Sequence, residues 1–171
     1  TSAINQYNAE NGVAIFYAVN PAASADTSNN YMGCTLNSVS GIAVDEVNAV
    51  AYQIKGANTS ALSIATGYST DSSGTGISTA VTTAVNDFVI DALAGNENIA
   101  VASSGTDQLI SMQATGASIA HSHASSCINA TTTTTTMTHT LASSIGDNFA
   151  HVVAAFAMNP QIPVDITTDR G

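Results

Sequence analysis

His121 and His123 flank Ser122, and this His-x-His pattern is the sharpest chemical signal in the chain. Residues i and i+2 of a strand project from the same face, so two imidazoles can hold one metal ion between them. Imidazole suits zinc and copper, which are therefore the expected ions. The other two histidines, His139 and His151, fall in stretches that read as strands. If those strands are neighbours in a sandwich, three or four imidazoles can share one site. The plainer reading of His121 and His123 is an exposed polar pair on a Ser- and Ala-rich edge strand.

The acids offer a second kind of chemistry. Asp26, Asp45, Glu46, Asp71 and Asp107 sit in stretches that read as loops, where oxygen ligands can gather around a hard cation. Asp71 and Asp107 are the candidate calcium ligands. No segment has the EF-hand spacing, and the run after Asp71 is equally an ordinary turn. Acids paired for glycoside cleavage would have to be Asp87 with Asp91, or Asp45 with Glu46. Asp87 and Asp91 flank apolar residues, which favours turn capping and edge solvation. Gly-x-Ser-x-Gly, His-Glu-x-x-His and a Walker loop are all missing from the sequence. The expectation is a protein that is not an enzyme.

Cys34 and Cys127 are too far apart for a CxxC motif and suit one long-range disulfide, a bond that persists outside the cell. Two buried free thiols are the alternative. Asn58-Thr59-Ser60 and Asn129-Ala130-Thr131 are glycosylation sequons, with Asn58 and Asn129 as acceptors. Sugar-binding sandwiches stack pyranose rings on exposed aromatics. Aromatic residues make up only 5% here, without tryptophan, leaving Tyr7, Tyr31, Tyr52 and Tyr68 for that role.

The elements that must position these residues are strands. Runs of β-formers bounded by Gly, Asn, Ser and Pro recur along the whole length: Val13 to Val19, Tyr31 to Leu36, Val47 to Ile54, Ala61 to Thr66, Ile77 to Thr83, Phe88 to Leu93, Ile99 to Ala102, Gln108 to Ala114, Ser118 to Ala124, Thr131 to Leu141 and Phe149 to Met158. Val13 to Val19 is apolar on both faces and reads as a central, doubly covered strand. The threonine tract is expected to be a strand, since a branched Cβ suits a pleated surface. The predicted fold is all-β, a two-sheet antiparallel β-sandwich of jelly-roll type. Its parts are an N-terminal segment 1–12, a sandwich 13–160 and a polar tail 161–171.

The 171 residues fit one ordinary domain, or at most two small ones, and a chain of that length can bury roughly 70% of its unfolded surface. Charged residues are only 8% and the net charge is −10, with Lys55 and Arg170 the only bases besides histidine. A phosphate backbone has almost nothing to hold, and an anionic bilayer finds no basic stripe. Apolar runs fall short of the ~20 residues of a membrane-spanning helix. Thr1 to Glu10 lacks the basic and apolar regions of a secretory leader, so an extracellular location expects one to have been removed or to belong elsewhere in a larger product.

Three segments resemble a known group: Tyr17-Ala18-Val19-Asn20-Pro21, then Thr82 to Leu93 with Asn86-Asp87-Phe88-Val89-Ile90-Asp91, then Thr135-Thr136-Met137-Thr138-His139 followed by Phe149 to Met158. They are similar to jelly-roll β-sandwich modules of secreted bacterial surface proteins and phage tail or fibre proteins. In those modules tryptophans occupy the places that His139 and Phe149 hold here. The resemblance implies a structural or adhesive role and carries over no catalytic residue. The expected function is an extracellular, cell-surface or virion subunit that assembles with copies of itself. Sheet edges and the N-terminal segment, with Ile4 and Tyr7 at its contacts, are the expected means. A glycan- or calcium-binding adhesin module and a histidine-ligated metal protein are the alternatives.

Overall fold

The computed structural model describes residues 2–8, 11–17, 50, 52, 54–58, 64–71, 74–95, 101–104, 108–115, 122–145 and 149–159. Among these residues there are ten strands and no helix: β1 (Ser2–Asn8), β2 (Asn11–Tyr17), β3 (Ile64–Asp71), β4 (Gly74–Thr82), β5 (Phe88–Gly95), β6 (Val101–Ser104), β7 (Leu109–Thr115), β8 (Ser122–Asn129), β9 (Thr134–Ile145) and β10 (Phe149–Phe156). All pairings are antiparallel. A five-stranded sheet runs β3-β10-β5-β8-β7, a three-stranded sheet runs β4-β9-β6, and β1 and β2 form a hairpin. The described residues are all-β, as the recurring runs of β-formers predict.

Alternation with period two explains how the layers meet. On one face of the five-stranded sheet, Leu93, Phe149, Val89 and Val153 pack against Ile77, Val81 and Met137 of the three-stranded sheet. On its other face, Ile90, Val152, Ala154 and Phe156 pack against Ile15 of the hairpin. The five-stranded sheet is therefore the middle layer, and β10 is buried along all eight residues. Its sequence, Phe-Ala-His-Val-Val-Ala-Ala-Phe, is what a strand covered on both faces requires, except for one histidine. Burying Met137, Val89 or Val153 contributes about 1.5–3 kcal/mol each. Edge-to-face contact between Tyr17 and Phe156, centroids 5.9 Å apart, fastens the hairpin.

One expected assignment is corrected. The run beginning at Val13 is not a central strand: β2 belongs to the outer hairpin, with Ile15 buried and Phe16 64% exposed. An apolar run cannot by itself say whether both of its faces are covered, and here only one is. β1, from the 1–12 segment, pairs within the chain, Ile4 opposite Ile15 and Tyr7 opposite Gly12. Tyr52 and Ile54 lie outside the strands yet pack against the hairpin-side core. The threonine tract does form a strand, and Ser78 and Thr138 share a cross-strand hydrogen bond of 3.0 Å. Tyr31 to Leu36 and the tail 161–171 lie outside the described residues.

Two local features set the path between sheets. β3 passes so close to β4 that a Cβ on Gly67 would stand 2.5 Å from the Ala80 carbonyl oxygen. Between β4 and β5 the chain turns at Ala84 to Asp87, with Asn86 at φ 75°, a conformation asparagine tolerates better than most residues. The Asp87 carboxylate accepts the Ala84 N–H at 2.7 Å, the turn-capping role expected of it.

Candidate functional site

At one level of the core, the apolar packing between the two main sheets gives way to polar side chains. β4 contributes Thr79, set between Ile77 and Val81; β5 contributes Asp91, between Val89 and Leu93; β10 contributes His151, between Phe149 and Val153. β8 adds Ser126 and β9 adds His139 from the opposing sheet. Each is on the inward face for the same reason as its apolar neighbours two positions away. Asp91 is 1% exposed, and His139 and His151 are sealed from solvent.

Asp91 is the hub. Its Oδ2 lies 2.8 Å from His139 Nε2 and 3.1 Å from His151 Nε2. Its Oδ1 accepts the Ser126 N–H at 2.6 Å and the Ser126 hydroxyl at 2.9 Å. The two imidazoles meet edge to face with centroids 5.3 Å apart. His151 Nδ1 is 2.9 Å from the Thr79 hydroxyl. Gln108 Nε2 donates to Ser126 Oγ at 2.8 Å, and Gln108 Oε1 accepts the Thr138 N–H at 2.8 Å, just beyond the Ser104–His139 pair of the β6–β9 ladder.

The ladder between β5 and β8 makes room for this arrangement. Ile90 pairs with Cys127 and Leu93 with Ala124, but the pairing is interrupted between them. There, side chains stand in for the backbone: Ser126 N–H goes to the Asp91 carboxylate, and Ser125 Oγ donates to the Asp91 carbonyl at 2.6 Å. Since the Ser125 proton is used in that bond, Tyr52 donates its phenol to Ser125 Oγ, at 2.7 Å. β7 carries a register shift between Ile110 and Met112, opposite Ser126 and Ser125.

Burial by itself would raise the Asp91 pKa, but the hydrogen bonds from His139 and His151 outweigh it and hold the carboxyl at about 2. Asp91 is therefore ionised. Burial pushes the His151 pKa down, against the pull of Asp91. A neutral His151 with its proton on Nε2 donates to Asp91 and accepts from Thr79 at Nδ1, which satisfies both ring nitrogens. Cys127, on the opposite face of the sheet, has its thiol pKa raised by burial and by the Asp91 charge.

The structure joins some of the predicted residues and not others. His139 and His151 converge, but from facing sheets rather than from neighbouring strands. His121 lies outside the described residues; His123 is placed in β8, opposite Ala94 and Ala114. Asp71 ends β3 opposite Phe149, while Asp26, Asp45, Glu46 and Asp107 lie outside the described residues. Cys127 is a free thiol and Cys34 lies outside the described residues. Of the sequon asparagines, Asn129 is exposed and Asn58 half-buried. Asp91 corrects the expectation of edge solvation, because it occupies the middle of the core. Its signal was a single acid inside the apolar run Phe88 to Leu93. Thr79, Ser126 and Gln108 gave no signal distinguishable from the many other neutral polar residues.

No known protein family matches the chain, and no curated protein or solved structure is similar to it. The chemistry must be read from the geometry alone. The cluster joins two sheets through a carboxylate whose four acceptor positions are filled by four donors. A group sealed in this way fixes register and sheet spacing; a substrate could reach it only if the sandwich opened.

Proposed function

We propose that the chain is a non-enzymatic, extracellular structural subunit that assembles with copies of itself through its sheet edges. The observation that carries this reading is the chemistry of those edges. β4, β6 and β7, which border the two main sheets, contain no charged residue, and β3 carries only its terminal Asp71. Sheet edges normally carry lysine or another charge that discourages pairing with a second chain. The hairpin strands are uncharged as well. Close packing of β3 on β4 occupies one side of the sandwich, which leaves β6 and β7 as the edges best placed for strand addition.

The sealed Asp91 centre supports a structural role over a catalytic one, since it stiffens the core and presents nothing to a substrate. Strand order supports the jelly-roll type. An eight-stranded jelly roll places its first, eighth, third and sixth strands side by side, and its second, seventh and fourth in the facing sheet. β3-β10-β5-β8 and β4-β9-β6 follow that order, with β7 carried on β8. The near absence of basic residues accords with an extracellular setting and with partners other than nucleic acid.

Light scattering and electron microscopy of the purified chain test the reading. A regular polymer or discrete oligomer is expected, and lysines at Ala102 in β6 and Ser111 in β7 should dissolve it while leaving the circular dichroism spectrum unchanged. A chain that stays monomeric at high concentration rules the proposal out.

A further inference from the structure

We propose that Asp91, His139 and His151 form a zinc site that is loaded as the chain folds. One ligand atom from each residue, the two imidazole Nε2 atoms and a carboxylate oxygen, lies within 4.8 Å of the others. Tetrahedral zinc with bonds near 2.0–2.1 Å places its ligand atoms about 3.3 Å apart. The two His–Asp separations are 2.8 and 3.1 Å, so each imidazole would part from Asp91 Oδ2 by a few tenths of an ångström and turn to face the ion.

Three features of the surroundings favour it. First, Asp91, His139 and His151 bring two imidazoles and a carboxylate together where all three side chains are closed to solvent. Imidazole nitrogen and carboxylate oxygen are both zinc donors. Second, Thr79 allows His151 to present a bare Nε2. Its hydroxyl can accept as well as donate, so the imidazole proton can move to Nδ1 and remain hydrogen-bonded. Third, Ser126 grips Asp91 Oδ1 through both its N–H and its hydroxyl, which orients Oδ2 toward the histidines. Supporting bonds of this kind, one step behind the ligands, set affinity in metal sites. With Asp91 Oδ1 held by Ser126, a water admitted with the ion as the chain folds would complete four-coordination. The set of two imidazoles and one carboxylate suits zinc better than a hard ion such as calcium.

Because the site is sealed, the ion must enter before the sheets close, and this sets the experiment. The full chain is unfolded in guanidinium with chelator, then refolded by dilution either into equimolar zinc, copper, iron and manganese or into chelator alone. After gel filtration the metals are counted by mass spectrometry. About one zinc per chain is expected, retained when EDTA is added to the folded protein, with a higher melting temperature than the chelator-refolded sample. The His121→Ala/His123→Ala variant should keep the zinc and the His139→Gln/His151→Gln variant should lose at least ten-fold. Should the latter fail to fold, wild-type chain refolded in cobalt must show the visible bands of a tetrahedral nitrogen and oxygen site. A metal-free wild type, a metal other than zinc, a cobalt sample without those bands, or zinc that disappears with His121 and His123 would each overturn the assignment.

Discussion

His139 Nε2 and Asp91 Oδ2 meet at 2.8 Å across the space between two sheets, with neither side chain open to solvent. This contact makes the polar layer a tie between sheets, and it fixes what substitution should do. Removing the carboxylate leaves the Ser126 N–H and the imidazole N–H groups without an acceptor in a dry core. Asp91→Ala should therefore cost about 3–5 kcal/mol in urea unfolding. Asp91→Asn, which retains the shape and one acceptor oxygen, should cost less. Equal losses for the two variants would show that packing, not hydrogen bonding, is what Asp91 provides.

The metal-free protein should lose stability on acidification in two steps. His151 has a folded pKa below its ordinary 6.5, so the unfolded chain takes up its proton first. Its contribution is present above pH 6.5 and is lost as the pH falls below that value. Asp91, lowered from 3.8 to about 2, contributes about 2 kcal/mol that is present above pH 3.8 and disappears as the pH falls toward 2. Urea midpoints of chelator-refolded protein across this range should decline in both windows. His151→Gln should abolish the first decline and, by removing one of the two imidazoles that lower the Asp91 pKa, shrink the second; a profile flat down to pH 4 in the wild type would contradict the neutral assignment of His151.

Gly67 is the position where β3 can least accept a side chain. A Cβ there would meet the backbone oxygen of Ala80 at 2.5 Å and the Thr79 side chain at 3.1 Å. Backbone cannot rotate away as a side chain can, so Gly67→Ala should cost about 1–3 kcal/mol. At Gly95 the corresponding clash is with the Phe149 ring, 2.6 Å away. That ring packs between Leu93 and Ala124, so Gly95→Ala should loosen the same apolar cluster. Thermal melts of the two variants, with Thr75→Ala on the exposed part of β4 as control, check both costs.

Most strands were legible because β-formers and turn residues alternate so regularly, and the run Phe149 to Met158 announced its burial by being apolar at both parities. The layer order was not legible. Val13 to Tyr17 is just as apolar, yet Phe16 points outward, because whether a second face is covered depends on contacts distant in sequence. The same limit applies to the site. His139 and His151 stand out by residue type, but Asp91 reads as an edge residue, because its neighbours are apolar and its partners lie 48 and 60 residues away. Thr79 and Ser126 are two among many hydroxyls, and only the register of β4 and β8 distinguishes them.

Cys127 gives a chemical readout of the Asp91 charge from the far side of the same sheet. Its thiol is half-buried and its pKa is raised, first by burial and then by Asp91. Only the thiolate attacks an alkylating reagent, so at pH 8 Cys127 should react with iodoacetamide more slowly than a free cysteine peptide. Neutralising Asp91 removes one of the two causes. In Asp91→Asn, labelling of Cys127 under folding conditions should speed up, and the acceleration should shrink as salt is added only to the extent that ions reach the core, which is little. Peptide mapping separates Cys127 from Cys34, and hydrogen exchange on the same variant separates a lowered pKa from local opening. If labelling accelerates only together with exchange at β5 and β8, the effect is loosening of the sheet; if labelling accelerates alone, the charge of Asp91 is felt through the strand.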